Sequence, residues 1–547
     1  MNRRQLLLST AQLSLLAAAP RAFAETAPRA IPSPDQMAWQ DMEIGMFVHF
    51  APNTWQDVES DDLSTPLSAI NPVKLNTDQW ARTAISLGAK YIVFVAKHQG
   101  GFCMWQTHTT DYGIRNTPWR DGKGDVLADV AASCKKFGLK LGVYICPRDD
   151  HFGAKTGGIC ATPELQTRYN AMYREQLTEV LSRYGSLVEV WFDGSTAASV
   201  TDLLVKYQPH AMVFQGPAAT IRWVGNEDGF APSPCWNGID RADAKTGTAT
   251  SLNSDPDGNV WMPNEVDVSI RRPNWFWSTT NENKVLTLDQ LLSIYYRSVG
   301  RGCQLLLNIP ANRDGLLPDA DCSSARAFGS EIQKRFSKPI ASTSGSGTAI
   351  TLKLSTSTKV DTVILQEDTA KGERIREFRI EAKTPNGSWQ QLGTGTSIGH
   401  KRILPVPSTT TDTVRLITTA SVGMPTLRTF AAFDTNTPPP SDWNANPQVW
   451  AADLVGAWKD GAFSLDLTKK IDAAAQYRLR FIPTEGKVTA IRNVVLKLHG
   501  IPNPNLVKPV RNSPNELTLD ITGVAETVEI TGEVIGSSEG QILLQKL

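Results

Sequence analysis

The sequence predicts an α/β fold, a (β/α)8-like barrel over residues 36–335, followed by two β-sandwich-like domains at 339–435 and 441–547. Three observations carry this reading. Short apolar strands alternate with amphipathic helices over roughly 300 residues, the pattern of a parallel sheet closed on itself. Three of those strands end in polar residues, His49, Lys97-His98 and Asp193, and a barrel keeps its chemistry at strand carboxyl ends. After Pro339 the helical period vanishes and short alternating strands take over, as in β-sandwiches.

The amino terminus reads as a targeting segment. Asn2-Arg3-Arg4-Gln5-Leu6-Leu7-Leu8 is a twin-arginine start, the apolar run continues through Ala19, and Ala22-Phe23-Ala24 fits a small-x-small cleavage site. Residues 1–24 are therefore expected to be removed, leaving a periplasmic or secreted protein beginning near Glu25. No later stretch reaches the roughly 20 apolar residues of a membrane span. The clearest strands are then Ile44–Phe50, Tyr91–His98, Leu141–Cys146, Val188–Asp193, Met212–Gln215 and Gln304–Ile309. Helical patterns lie between them at Asp78–Leu87, Val126–Phe137, Leu165–Tyr184 and from Leu288 to Val299. Thr287 is the expected N-cap of the last, with Gln290 completing a capping box and Gly300 ending the helix. Beyond Pro339, strands are expected at Ile350–Leu354, Lys359–Gln366, Phe378–Lys383 and Thr413–Thr418. Thr435-Asn436-Thr437-Pro438-Pro439-Pro440 reads as an extended proline linker. The last domain shows strand-like runs at Tyr477–Ile482, Asn493–Leu498 and Thr527–Val534.

At 547 residues the chain calls for two to four domains. Its 55 basic and 55 acidic side chains balance, which argues against nucleic acid or a membrane surface as partner. Eleven of the 15 tryptophans fall between Trp39 and Trp277. Their faces suit the C–H faces of sugars, and they also fill large cores, so both uses are expected. The seven cysteines form no C-x-x-C pair, so neither a zinc site nor a disulfide framework is indicated; most read as small buried hydrophobes. A single Cys160–Cys235 disulfide is the one bridge entertained. No H-x-x-x-H cluster, Walker loop or G-x-G-x-x-G opening a helix is present, so no metal or organic cofactor is expected. Oligomeric state leaves no mark on the sequence.

The chemistry is read from two carboxylates. Val188-Glu189-Val190-Trp191-Phe192-Asp193-Gly194 is an apolar strand that stops at a carboxylate followed by glycine. Glu227, in Arg222-Trp223-Val224-Gly225-Asn226-Glu227-Asp228-Gly229, follows one β-α-β unit later in similar aromatic company. A carboxylate alone is commonly a capping or surface residue. Two among tryptophans at strand ends suggest glycoside hydrolysis, one acting as nucleophile or base and the other as acid.

Further motifs resemble a known family. Glu43–Phe50, Ala89-Lys90-Tyr91 leading to Lys97–Trp105, Gly124-Asp125-Val126, Phe137–Tyr144, Trp191-Phe192-Asp193-Gly194 and Leu306–Gly315 occur in the order found in family 29 glycoside hydrolases, the retaining α-L-fucosidases. The resemblance covers residues 36–335. Arg222–Gly229 and Glu265-Val266-Asp267-Val268-Ser269-Ile270-Arg271 look closer to the subgroup that cleaves α-1,3/1,4-linked branches. The resemblance implies an exo-acting enzyme with a fucosylated glycan as substrate and Asp193 as the nucleophile that forms a covalent fucosyl-enzyme. Glu227 would be the acid/base, kept protonated by apolar walls such as Trp223, with Glu265 as its rival. The two carboxyls are expected roughly 5–5.5 Å apart. His49, His98 and Trp191 match positions that hold fucose, with Gln99, Trp105, Tyr144, Trp223, Glu265 and Trp275 as further sugar contacts. Trp275, Phe276 and Trp277 suit the C6 methyl or the aglycone, and equally the core.

Two departures bear on substrate preference. Gln99 stands where the family has a second histidine, and the loop Asn53–Asp62 lacks the usual glutamate-tryptophan pair, leaving Trp55 and Glu59 without an assigned role. Pro339–Asp434 resembles discoidin-type sandwiches, as a packing platform or a lectin-like module. Two other functions stay open: a carbohydrate-binding protein on a decayed barrel, and a glycosidase for a fucose-like sugar such as L-galactose.

Overall fold

A computed structural model describes residues 29–445, 453–471, 475–483, 488–510, 514–521 and 527–546. The targeting segment, 1–24, lies outside these residues. Eight parallel strands form the first sheet: β1 (Ile44–Val48), β2 (Tyr91–Lys97), β3 (Lys140–Ile145), β4 (Leu187–Trp191), β5 (Met212–Phe214), β6 (Arg222–Trp223), β7 (Asn264–Ser269) and β8 (Gln304–Asn308). They run in sequence order from β5 back to β1 and then β8, β7, β6, and a parallel bridge between Phe214 and Ile221 joins the two ends. The predicted barrel is present.

Alternation along the strands sorts the side chains into two cores. Phe47, Tyr91, Val93, Val95, Tyr144, Trp191 and Phe214 fill the barrel interior. Met46, Val48, Ile92, Phe94, Val143 and Val190 face the surrounding helices. Helices Thr77–Leu87, Val126–Phe137, Pro163–Arg183, Thr201–Tyr207, Leu288–Arg297 and Asp319–Phe336 follow strands 1–4, 7 and 8. Their ends are written locally. Asp125 caps Val126–Phe137 by accepting from the Ala128 N–H at 2.8 Å, and Thr162 with Pro163 starts the longest helix. The Thr287–Gln290 capping box is formed. That helix, however, stops at Ser298 and runs into a short turn that contains Gly300, and the left-handed residue is Gly302.

Two barrel strands escaped the sequence reading, β6 because it is two residues long and β7 because polar residues interrupt its apolar pattern. No helix separates β5 from β6. Glu227 therefore follows β6, two strands round the barrel from Asp193.

The strands expected at 350–354 and 359–366 are one strand, Ala349–Glu367, with a register shift between Lys353 and Thr358. It lies in a six-stranded antiparallel sheet with its own core, including Ile350, Leu352, Val363, Leu365, Phe378 and Leu416. Ile364, Ile403, Ala431 and Phe433 turn the other way and join the barrel's helix-side core, so barrel and sheet belong to one compact unit ending at Asn444. The proline segment is tied down rather than free. Asp361 accepts from the Thr435 N–H and hydroxyl at 3.0 Å, and Arg335 donates to the Pro438 carbonyl at 2.9 Å. The second unit, from Ala445, is a sandwich: a five-stranded and a four-stranded sheet share a core that includes Phe463, Leu465, Leu479, Phe481, Leu496, Leu519, Ile530 and Ile542.

All seven cysteines are free thiols. The Cys160–Cys235 bridge is absent; Cys235 instead faces Cys303 with 3.5 Å between sulfurs. Among the described residues, no helix is long and apolar enough to cross a membrane.

Lys97, at the end of β2, supports the strand rather than the mouth. Its ammonium is fully buried and bonds Asp149 Oδ2 at 2.9 Å and Gln176 Oε1 at 3.2 Å. Removing one partner strands the other charge in the interior. Asp149→Ala should therefore cost about 3–5 kcal/mol of stability, read as a lowered denaturant midpoint. A midpoint change equivalent to less than about 1 kcal/mol would show that the pair is not desolvated.

Candidate active site

A cavity of about 270 Å³ opens at the carboxyl ends of the strands, lined by Phe47, His49, Glu59, Ser60, His98, Gln99, Tyr144, Trp191, Asp193, Phe214, Gln215, Trp223, Glu227, Asp267, Trp275 and Phe276. A larger hollow, about 740 Å³, lies where strands β3–β5 begin, beside Lys140, Leu141, Leu187, Val188 and Met212, away from these convergent polar groups. Position in the fold favours the smaller cavity, because barrel chemistry collects at the opposite end from the larger one.

Asp193 leaves β4 into a sharp turn. Gly194 and Ser195 both take left-handed backbone, with φ 76° and 68°, and their N–H groups donate to Gln215 Oε1 at 2.7 and 3.2 Å. A side chain at position 194 would also press on Thr156. That explains the glycine after the carboxylate and gives Gln215, which the sequence reading passed over, a supporting place. The Tyr144 hydroxyl donates to Asp193 Oδ2 at 2.8 Å and the Gln99 amide to the same oxygen at 3.4 Å. Gln99 is itself held by Arg148, whose Nη1 donates to its Oε1 at 3.2 Å. Both side-chain bonds end on one oxygen, which leaves Asp193 Oδ1 for other work.

His49 is buried, and His98 beside it is partly exposed with its Nδ1 buried. The Asn308 amide donates to the Trp275 carbonyl at 2.8 Å, which fixes its orientation, so its Oδ1 accepts from His49 Nδ1 at 2.8 Å. His49 Nε2 is thereby an acceptor. Burial, then the neighbouring His98, holds His49 well below the usual imidazole range, so it is neutral. Burial, followed by the Arg148 charge, pulls His98 down to about 3. The His98 ring stacks on Tyr144 at 5.6 Å, and Phe276 stands edge-on to both histidines. The Glu59 carboxylate accepts from the Trp275 N–H at 2.8 Å and from Asn274 at 3.0 Å, so the unassigned loop clamps the Trp275 segment. Trp55 packs on Phe50.

Glu227 lines the cavity with its side chain 40 % exposed, and Arg272 lies 3.6 Å away. Trp223, the expected apolar wall, lines the same cavity, and Arg272 adds a cation beside the carboxylate.

Glu265 is not in the cavity. It is fully buried on the barrel floor, where its Oε2 accepts from the Tyr91 hydroxyl at 3.4 Å, and it interacts with Glu189. Glu189 accepts from the Trp39 indole at 2.9 Å and the Trp191 indole at 2.5 Å. Burial raises both carboxyls, and the Glu189 charge raises Glu265 further, so Glu265 holds the proton of the pair. A sugar contact by Glu265 is thereby corrected to a brace under Trp191. Trp105 is corrected as well: its indole is buried in the helix-side core and donates to Glu179 at 2.8 Å. Trp277 also lies outside the lining and leans on Arg313.

Asp267 was missed as a site residue. The signal was the alternation Glu265-Val266-Asp267-Val268-Ser269, which puts three polar side chains on the inner face of one barrel strand.

Three buried polar atoms of the lining, His98 Nδ1, Trp223 Nε1 and Asp267 Oδ1, have no hydrogen-bond partner in the protein. Aromatic walls with unmatched donors and acceptors between them suit a small polyhydroxylated ligand.

Comparison with known proteins gives the same direction. Residues 54–334 match the α-L-fucosidase family model. The chain is 34% identical to α-L-fucosidase 1 of Arabidopsis thaliana over 422 residues, covering 68% of this chain and 81% of that one. A family 29 glycoside hydrolase from a rumen bacterium superposes with TM-score 0.67 at 26% identity, covering 95% of this chain and 100% of that one. A family 29 fucosidase of Ruminococcus gnavus, crystallised with fucose, superposes with TM-score 0.66 at 26% identity over 75% of this chain and 96% of that one.

Proposed function

The chain belongs to the α-L-fucosidase family, family 29 of the glycoside hydrolases, and from that premise we propose that it releases terminal α-L-fucose, α-1,3- or α-1,4-linked, from glycans by a double displacement. The observation that carries this reading is the placement of Asp193 and Glu227 on one cavity whose walls also carry aromatic rings, neutral histidine and unmatched hydrogen-bonding atoms. In this reading, Tyr144 and Gln99 hold Oδ2, and Oδ1 attacks the anomeric carbon while Glu227 protonates the departing oxygen. Glu227 then takes a proton from the water that opens the fucosyl-enzyme. His49 Nε2 accepts from a sugar hydroxyl, and Trp191, braced by Glu189, forms a wall. The twin-arginine start supports action in the periplasm or outside the cell.

The linkage preference rests on the likeness of Arg222–Gly229 and Glu265–Arg271 to one subgroup. Hydrolysis of an aryl α-L-fucoside, with a panel of 1,2-, 1,3-, 1,4- and 1,6-linked fucosides, tests both levels. The 1,3- and 1,4-linked members should be cleaved fastest, releasing α-L-fucose first. Preference for another linkage would overturn the subgroup, and inertness toward every member would favour a sugar-binding protein.

A further inference from the structure

Strand β7 presents Glu265, Asp267 and Ser269 to the barrel interior, while Val266 and Val268 pack outward in the helix-side core. Glu265 is taken up by the floor network, and the Ser269 hydroxyl accepts from the Asn308 amide at 2.9 Å. Asp267, between them, is 5 % exposed, lines the cavity, and has an oxygen, Oδ1, with no partner in the protein. The Trp223 indole N–H, on the adjacent strand, faces the same carboxyl without closing a hydrogen bond to it. We infer that Asp267 is a further sugar-binding carboxyl of the site, a specificity-determining residue that hydrogen-bonds one hydroxyl of the terminal sugar as a neutral carboxylic acid.

The inventory of groups around the cavity supports that role. Asp193 and Glu227 already stand there, with Glu59 bound to Asn274 and the Trp275 N–H, and a further charge would face them without a cation of its own, since Arg272 is engaged with Glu227 and Asp228. Burial first, then the charge of Glu227 and more weakly that of Asp193, hold Asp267 well above the usual carboxylate range against the opposing pull of its own backbone N–H and the Trp223 indole. A neutral carboxyl both donates and accepts, as a sugar hydroxyl does. Several neighbours are one-sided by contrast: Trp223 only donates, His49 Nε2 only accepts, and the Tyr144 proton is committed to Asp193. A buried carboxylic acid kept neutral to donate a hydrogen bond has precedent in enzyme sites.

This inference rests on the fucosidase reading above, and its test separates the two. Asp267→Asn and Asp267→Ala are compared on an aryl α-L-fucoside and on its 2-, 3- and 4-deoxy analogues, with thermal midpoints recorded for both variants. The amide retains a donor and an acceptor at the same place, so Asp267→Asn should keep kcat/KM within about tenfold and leave the pH profile unmoved. Asp267→Ala should lose on the order of 10–100-fold on the parent fucoside. That loss should shrink to under about threefold on the one deoxy analogue lacking the partner hydroxyl, because variant and analogue then remove the same contact. An equal loss on every analogue would overturn the inference, as would an Asn variant as damaged as Ala with a shifted acidic limb, which marks an ionised role. Were the wild type inert toward fucosides, the reaction reading would fail by itself. L-fucose titrated calorimetrically would then decide Asp267, and a Kd unchanged by Asp267→Ala would overturn its assignment.

Discussion

Asp193→Ala should lower turnover of an aryl α-L-fucoside by about 10⁴-fold or more while the thermal midpoint stays at or above that of the wild type. Oδ1 is the atom assigned to form the bond to the anomeric carbon, and its loss removes the first displacement, not merely its ease. Stability should not suffer, because the carboxylate is partly exposed and accepts hydrogen bonds only from Tyr144 and Gln99, both at the cavity surface. The truncated side chain leaves room for a small anion. Azide should then restore part of the cleavage of an activated fucoside and give β-L-fucosyl azide, a single inversion. Anomeric configuration by NMR reads the outcome. A variant keeping more than about a tenth of wild-type activity without added anion would remove Asp193 from the nucleophile's place.

Glu227→Ala should divide substrates by their leaving groups. A general acid matters most for a poor leaving group, so an oligosaccharide should slow by about 10²–10⁴-fold while a fucoside of an acidic phenol still forms the intermediate. Glu265 makes the contrast informative. It lies beneath the cavity, hydrogen-bonded within the floor network and out of reach of a departing oxygen. Glu265→Ala should chiefly lower stability and slow both substrate types alike, and Glu265→Gln, which keeps the neutral shape of a protonated carboxyl, should be far milder. If leaving-group dependence appeared with Glu265→Ala and not with Glu227→Ala, the acid would have to be reassigned to the floor.

Much of the barrel was legible because its signals are local. β-Branched and apolar runs marked β1 to β5 and β8, and Thr287 with Gln290 wrote one helix start into two side chains. The end of the Leu288–Arg297 helix was placed on Gly300 because a glycine is the usual stop, yet Gly302 carries the left-handed turn. Trp105 looked like a sugar platform by its place in a motif, but its indole points among the helices toward Glu179. A motif specifies neighbours in the chain, and the side of the strand end on which they fall is a property of the closed sheet.

By itself, then, the sequence determined the strand–helix order of β1 to β5 and β8, the carboxylate just past β4 and the glycine turn that exposes it. Those follow from backbone preference and from period-two burial, which act over a few residues. Only the tertiary structure separated Glu265 from Asp267. Both lie on β7, both point inward, and they are two residues apart, roughly 6–7 Å along the strand. Register against β8 pairs Gln304 with Glu265 and Leu306 with Asp267, and that sets their depth. Glu265 falls among Tyr91, Glu189 and Gln304 in the packed interior and becomes a brace; Asp267 clears that layer and reaches the cavity. Depth along a barrel axis depends on how eight strands are staggered together, which no one of them carries in its own residues.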